Sequence, residues 1–389
     1  MLFDYQREML ERIGHALDVH PSVMVQMPTG TGKTVLLAAV VEKFLHGSRV
    51  GEVWVVAHRR ELITQIARLV RHFFPSEDMA RIRVTSIQWL TRHYQEMGLE
   101  PGLIVIDEAH HALAETYAAV MNAFPQAAKL GLTATPCRMD GRGLAGLFDV
   151  LLTSWSMERF IVEGRLSAYD YYSIKPDSPD QRLIDSLGRR GADGDYLQSE
   201  LSERLDVRPT IERLCRTVCQ YVPGRKGIVY AISIRHAEHI AHFYRVHGIR
   251  AVAISSRTPD RQRRELLARF GSPAHQQVPG MERVDVLVSV DLFSEGFDCP
   301  DVEFVQLARP TLSLSKYLQM VGRGLRVARG KEYCVVLDNV GLYKRFGLPS
   351  ASRDWQSLFL GRSARMTVLQ EACLRLYKEL HLKTPKSSV

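Results

Sequence analysis

Met27-Pro28-Thr29-Gly30-Thr31-Gly32-Lys33-Thr34 is the stretch that decides how this chain folds. It matches the phosphate-binding loop pattern, glycine, four residues, then Gly-Lys-Thr, with Met27-Pro28 standing where the opening glycine is usual. Before it runs the apolar Ser22-Val23-Met24-Val25-Gln26, which reads as a buried strand. After it, Thr34-Val35-Leu36-Leu37-Ala38-Ala39-Val40-Val41 reads as a helix. Strand, loop, helix is the order such a loop requires. Gly30 and Gly32 can take positive φ, so the backbone N–H groups of Thr29 to Thr34 can turn inward on phosphates at the helix N-terminus. In this pattern Lys33 reaches the β- and γ-phosphates and Thr34 holds a magnesium ion.

The rest of the chain bounds what such a loop can serve. At 389 residues there is room for two or three domains, each with its own core. The composition, 46% hydrophobic and 24% charged, is that of an ordinary globular protein, and no apolar run suggests a membrane span. The N-terminus lacks the basic and apolar regions of a secretory signal, so a cytoplasmic protein is expected. Six scattered cysteines, with Cys215 and Cys219 spaced for one helix face, fit buried reduced thiols rather than a zinc knuckle. The net charge of +8 and pI near 9.2 suit a polyanionic partner without proving one.

Along the chain, Gln6 lies in a short N-terminal helix and offers one donor and one acceptor, the pair that reads an adenine edge. The strand Val53–Ala57 runs into His58-Arg59-Arg60, a basic turn at the carboxyl end of a parallel strand, where open α/β sheets bind ligands. A shorter strand is expected near Arg81–Thr85. The apolar Leu103–Ile106 then ends in Asp107-Glu108-Ala109-His110. Asp107 is placed to hold magnesium through its water shell, and Glu108 to orient and polarise an attacking water. Lys129–Thr133 gives another strand. Alternating strands and helices up to 155 predict one doubly wound parallel sheet; 156–208, rich in Gly and Pro, reads as a linker with a local insertion that carries a short helix near Tyr196–Arg204.

From 209 to 341 the alternation resumes and predicts a second parallel sheet. Its loop Asp291–Pro300 contains Gly296, which can approach a ligand closely, and Asp298, which can accept hydrogen bonds; both residues also suit a tight turn. Gln319-Met320-Val321-Gly322-Arg323-Gly324-Leu325-Arg326 puts two arginines at i and i+3 among glycines. They form either a solvated face or, as their poor fit to a core favours, a pair pointing into the cleft between the sheets to grip phosphate. The basic tail 342–389 carries Met366, Leu369, Cys373, Leu376 and Leu380 at helical spacing, either a helix packed on the second domain or a nucleic-acid contact.

These motifs, in this order over residues 1 to 341, resemble a superfamily 2 helicase core. In wording they are most similar to bacterial RadD-type and restriction-motor DNA translocases. The resemblance implies two RecA-like P-loop NTPase domains in tandem, followed by a short helical tail. It implies ATP and Mg2+ bound between the domains, with DNA or RNA crossing both. By the same resemblance Gln6 contacts the nucleotide, Asp107–His110 is the DEAH box, and His110, Thr133, Thr135 and Gln319 couple the nucleotide to movement. Gly296 and Asp298 face the nucleotide, Arg59 and Arg60 the nucleic acid, and Arg323 and Arg326 the γ-phosphate, with Arg326 as the arginine finger. The expected activity is ATP-driven helicase or translocase work on DNA, in repair or recombination. An RNA helicase, and an ATPase that clamps or remodels without separating strands, are the alternatives.

Overall fold

The structure, a computed structural model, describes residues 2–47, 50–58, 60–96, 100–111, 114–139, 141–271, 283–290 and 299–362. Two six-stranded sheets carry it, parallel in every pairing. The first contains β1 (Ser22–Gln26), β2 (Glu52–Ala57), β3 (Ile82–Ser86), β4 (Pro101–Asp107), β5 (Ala128–Thr133) and β6 (Val150–Thr153), in the order β3-β2-β4-β5-β1-β6. The second contains β7 (Ala168–Ser173), β8 (Gly227–Tyr230), β9 (Ala251–Ile254), β10 (Val286–Ser289), β11 (Phe304–Leu307) and β12 (Tyr333–Asp338), ordered β7-β12-β11-β8-β10-β9. Each is covered by helices, as tandem RecA-like domains are. Among the described residues no helix is long and apolar enough to cross a membrane.

Strand residues that alternate in sequence go to opposite apolar layers. In the first sheet Val23, Val25, Val53, Val55, Leu103 and Val105 join one cluster, while Met24, Trp54, Val56, Ile104 and Ile106 join another. A sheet covered on both faces needs this doubly apolar pattern, which is why its strands read as continuous hydrophobic runs. The first cluster continues through Phe160, Leu166 and Leu201 into Ile228, Leu287 and Val305 of the second sheet, so the two sheets share an apolar layer.

One expectation is corrected here. The stretch 156–208 carries the helix expected near Tyr196–Arg204, at Gln198–Leu205, but it is not merely a linker: it also supplies β7, which pairs with β12 over six residues, and the helices Met157–Val162 and Pro179–Asp185. An edge strand with one paired side, half exposed along Ala168-Tyr-Asp-Tyr-Tyr-Ser, carries only a thin hydrophobic signal. The last described helix of the tail, Trp355–Phe359, packs on the first domain, with Phe359 buried in the same cluster as Trp54 and Leu90. The heptad-like residues Met366 to Leu380 lie outside the described residues.

Candidate nucleotide site between the two sheets

All six strands of the first sheet point the same way, so the turns after β1, β4 and β5 open on one edge. Because β4, β5 and β1 are adjacent, the phosphate loop, Asp107-Glu108 and Thr133 converge there. Gly32 caps the helix Lys33–Leu45 at φ 80°, and Gly30 sits at φ 90°. Those left-handed turns aim the loop's amides at the helix N-terminus. Lys33 folds back over the loop, its Nζ donating to the carbonyls of Met27 (3.3 Å) and Pro28 (3.5 Å). Burial pushes its pKa down; Arg323 and Arg326 push the same way, against Glu108 and Asp107.

The N-terminal helix Asp4–Val19 braces the loop from outside. Tyr5 donates through its hydroxyl to the Thr31 carbonyl (2.9 Å), and the Gln6 amide donates to Thr31 (3.3 Å) and Gly32 (3.4 Å). The Gln6 carbonyl oxygen accepts from Phe3 N (3.0 Å). In this conformation the amide expected to read an adenine edge is committed to holding the loop. A Cβ at Gly32 would lie 2.5 Å from Gln6 Nε2, so glycine is required for the bracing as well as for the turn.

Glu108 has φ 49°, one of only two non-glycine residues at positive φ among those described. Its backbone N–H donates to Asp107 Oδ1 (3.0 Å). Its Oε2 is buried, 3.4 Å from His110 Nδ1, without a hydrogen-bond partner among the described residues. His110 Nδ1 lies 2.9 Å from Thr133 Oγ1, which donates to the Thr135 carbonyl (3.0 Å) and accepts from Thr135 N (3.0 Å). This brings His110, Thr133 and Thr135 into one hydrogen-bonded group, with the Glu108 carboxylate beside it.

The second domain closes the site from above. Its helix Leu314–Gly322 ends with Arg323 as C-cap, and a Cβ at Gly322 would stand 2.5 Å from Thr29 Cβ. The stem of Arg326 and Leu166 cover Gly30. Arg323 is buried. Lys331, which the sequence did not single out, pins the turn behind these arginines: its Nζ donates to the carbonyls of Gly324, Arg326 (2.7 Å) and Pro300 (3.2 Å). Asp195, from the stretch read as linker, accepts from Leu312 N (2.8 Å), Thr311 Oγ1 (2.8 Å) and Lys316 Nζ (3.0 Å), fixing the start of the same helix. Neither residue belongs to a motif. Each acts through carbonyls or amides that a sequence does not reveal.

Of the remaining expected residues, Arg60 opens the helix Arg60–Phe73, after β2. Arg59, Gly296 and Asp298 lie outside the described residues. Cys215 is buried, its thiol pushed up to about 12 by burial and by neighbouring Cys219.

The site suits a magnesium–nucleotide. Three cations, Lys33, Arg323 and Arg326, converge here beside two carboxylates, Asp107 and Glu108, a balance among the described residues that favours an anionic guest. Thr29 Oγ1, Thr135 Oγ1 and Gln319 Nε2 are buried without hydrogen-bond partners among the described residues, a costly state that a polar ligand relieves. The Thr34 hydroxyl and Asp107 carboxylate are the hard oxygen donors that magnesium takes.

Comparison with known proteins agrees with this geometry. Residues 1–138 match the family described as "Type III restriction enzyme, res subunit", and 209–328 match "Helicase conserved C-terminal domain". A 51.5 kDa protein of a Lactococcus phage is 31% identical over 339 residues, covering 87% of this chain and 70% of the phage protein. The chain belongs to the superfamily 2 helicases, related to the restriction-enzyme motors. A Saccharomyces cerevisiae protein that carries the provisional name ATP-dependent helicase IRC3 is 24% identical, covering 88% of this chain. This chain spans about half of that relative, 52%. In fold it superposes on the type ISP restriction-modification enzyme LlaBIII bound to DNA with a TM-score of 0.63 at 15% identity, covering 87% of this chain and 27% of that one.

Proposed function

We propose that this chain is an ATP-dependent DNA helicase or translocase motor serving DNA repair or recombination. The observation that carries the reading is the convergence of Arg323 and Arg326 from the second domain on the Lys33 loop of the first. Such an arrangement makes the catalytic site only when the cleft is closed, so nucleotide binding and domain position are one equilibrium. Thr34 and Asp107 would hold magnesium, which would supply neutralisation of the charge that builds on the phosphate oxygens. Lys33 and the two guanidiniums would meet the same developing charge, which is where fixed cations lower a barrier most. Glu108 Oε2 is the carboxylate oxygen left to orient and polarise the attacking water. DNA is favoured over RNA by the restriction-enzyme family match and by the DNA-bound LlaBIII neighbour. His58-Arg59-Arg60 and the exposed Trp89, stacked on His93 after β3, are the groups proposed to meet the strand.

The test is steady-state ATP hydrolysis without nucleic acid and with single-stranded DNA, duplex DNA or RNA. DNA is expected to stimulate the rate most, and Lys33→Ala or Arg326→Ala to lower the stimulated rate by about 10²–10³-fold. Equal rates with and without every nucleic acid would sink the motor; preferential stimulation by RNA would move its track.

A further inference from the structure

We infer that Ser315, which no family motif marks, is a positioning residue for hydrolysis: it holds His110 from across the cleft and so ties the seat of the second domain to the geometry at Glu108. The inference rests on the motor reading above. Ser315 Oγ lies 2.7 Å from His110 Nε2, a contact between residues 205 apart in sequence, both buried. The hydrogen-bond roles follow from counting hydrogens. Thr133 has one hydroxyl hydrogen; given to the Thr135 carbonyl, it leaves the oxygen to accept from His110, and Nδ1, which also faces the Glu108 carboxylate at 3.4 Å, is assigned the proton. In the neutral ring Nε2 is then an acceptor, and the Ser315 hydroxyl donates to it.

The ring is therefore held at both nitrogens, one by each domain. Ser315 lies in the first turn of the helix Leu314–Gly322, whose start is fixed by the Ser313 cap to Lys316 N (3.2 Å) and by Asp195. One turn later the amide nitrogen of Gln319, the residue that the family pattern would assign to coupling, is buried without a hydrogen-bond partner among the described residues. In this closed arrangement Ser315 makes the cross-cleft bond instead. Withdrawing the helix frees Nε2 and unlocks the ring. Nδ1 can then leave Thr133 for Glu108 Oε2, 3.4 Å away, occupying the carboxylate needed for water. Cleft opening would thus switch off Glu108 through one hydroxyl.

The experiment compares wild type, Ser315→Ala, Ser315→Thr, His110→Ala and the Ser315→Ala/His110→Ala double variant in DNA-stimulated ATP hydrolysis, with Lys33→Ala as blank. Ser315→Ala is expected to lower kcat about tenfold while KM for ATP stays within about twofold, the signature of an interaction used after binding. Ser315→Thr, which keeps the hydroxyl, should recover most of the rate. The alanine at 315 should cost nothing further once His110 is gone, because both changes cut the same link. Wild-type kcat in Ser315→Ala, equal loss in Ser315→Thr, or losses that multiply in the double variant would each overturn the inference while leaving the motor standing. Hydrolysis in wild type no greater than in Lys33→Ala would overturn the motor and the inference together.

Discussion

Glu108 shows how function and stability pull apart at a single residue. A left-handed backbone costs a non-glycine residue about 1–2 kcal/mol, and strain of this kind persists only where the surroundings fix it. At φ 49° the side chain leaves β4 between Asp107 and His110, turned toward the loop that holds Lys33. Replacing it with glycine removes the strain but adds the backbone entropy of glycine, worth about 0.5–1 kcal/mol. Glu108→Gly is therefore expected to be as stable as wild type or up to about 1 kcal/mol more stable, whereas Glu108→Ala keeps the strain and gains nothing. Both should lose hydrolysis by about 10²-fold or more, because Glu108 is the group proposed to orient and polarise the attacking water. Urea denaturation of the two variants beside wild type reads the difference; an alanine variant as stable as the glycine variant would show that the turn stores no strain.

At the scale of an element, the helix Ile234–Val246 turns on a histidine that the chemistry does not use. His236 Nδ1 accepts from Ile232 N (3.2 Å), and burial, opposed by Asp206, pushes the ring down to about 4. The folded state thus refuses a proton that the unfolded chain takes at about 6.5. Stability from this residue is complete above 6.5 and falls as pH drops from there to about 4, by roughly 3 kcal/mol. His236→Asn keeps an acceptor for Ile232 N without titrating, so its stability should change far less than wild type between pH 7 and pH 4.5. Equal slopes would exclude His236 as the source. The elements themselves were legible to different degrees for physical reasons. The strands β1, β2, β4 and β5 bury both faces and announce themselves as apolar runs. The edge strands β6 and β7 do not, since one paired side asks little of the sequence. At the site, Lys33, Asp107 and Glu108 could be read because their spacing is the chemistry. Ser315 could not, because its partner His110 is set by the crossing of two domains, and Asp195 and Lys331 could not, because they hold backbone groups of the second domain that no spacing reveals.

Across the whole molecule, the chain joins its two halves twice. After β12 it returns over the cleft, and the Arg353 guanidinium ties that return by donating to the carbonyls of Phe346 (3.0 Å), Leu348 (2.9 Å), Pro349 (2.9 Å) and Ala351 (2.8 Å). Phe359 then enters the first domain's core, its carbonyl accepting from Leu144 N (2.8 Å) and Ala145 N (3.2 Å), while Gly361 meets Gly143 so closely that neither position has room for a Cβ. Part of the first domain's core is thus supplied by residues that follow the second domain in sequence. Deleting a buried aromatic ring typically costs about 3–5 kcal/mol, and here that loss falls on the first domain alone. The four tryptophans, Trp54, Trp89, Trp155 and Trp355, all lie in the first domain, in the segment just after it, or in the returning strap, so their fluorescence follows that half. Circular dichroism follows the helices of both. Phe359→Ala should therefore move the urea midpoint seen by fluorescence to lower concentration than the midpoint seen by circular dichroism. Coincident shifts by both probes would mean that the two domains unfold as one cooperative unit, with the strap carrying the coupling.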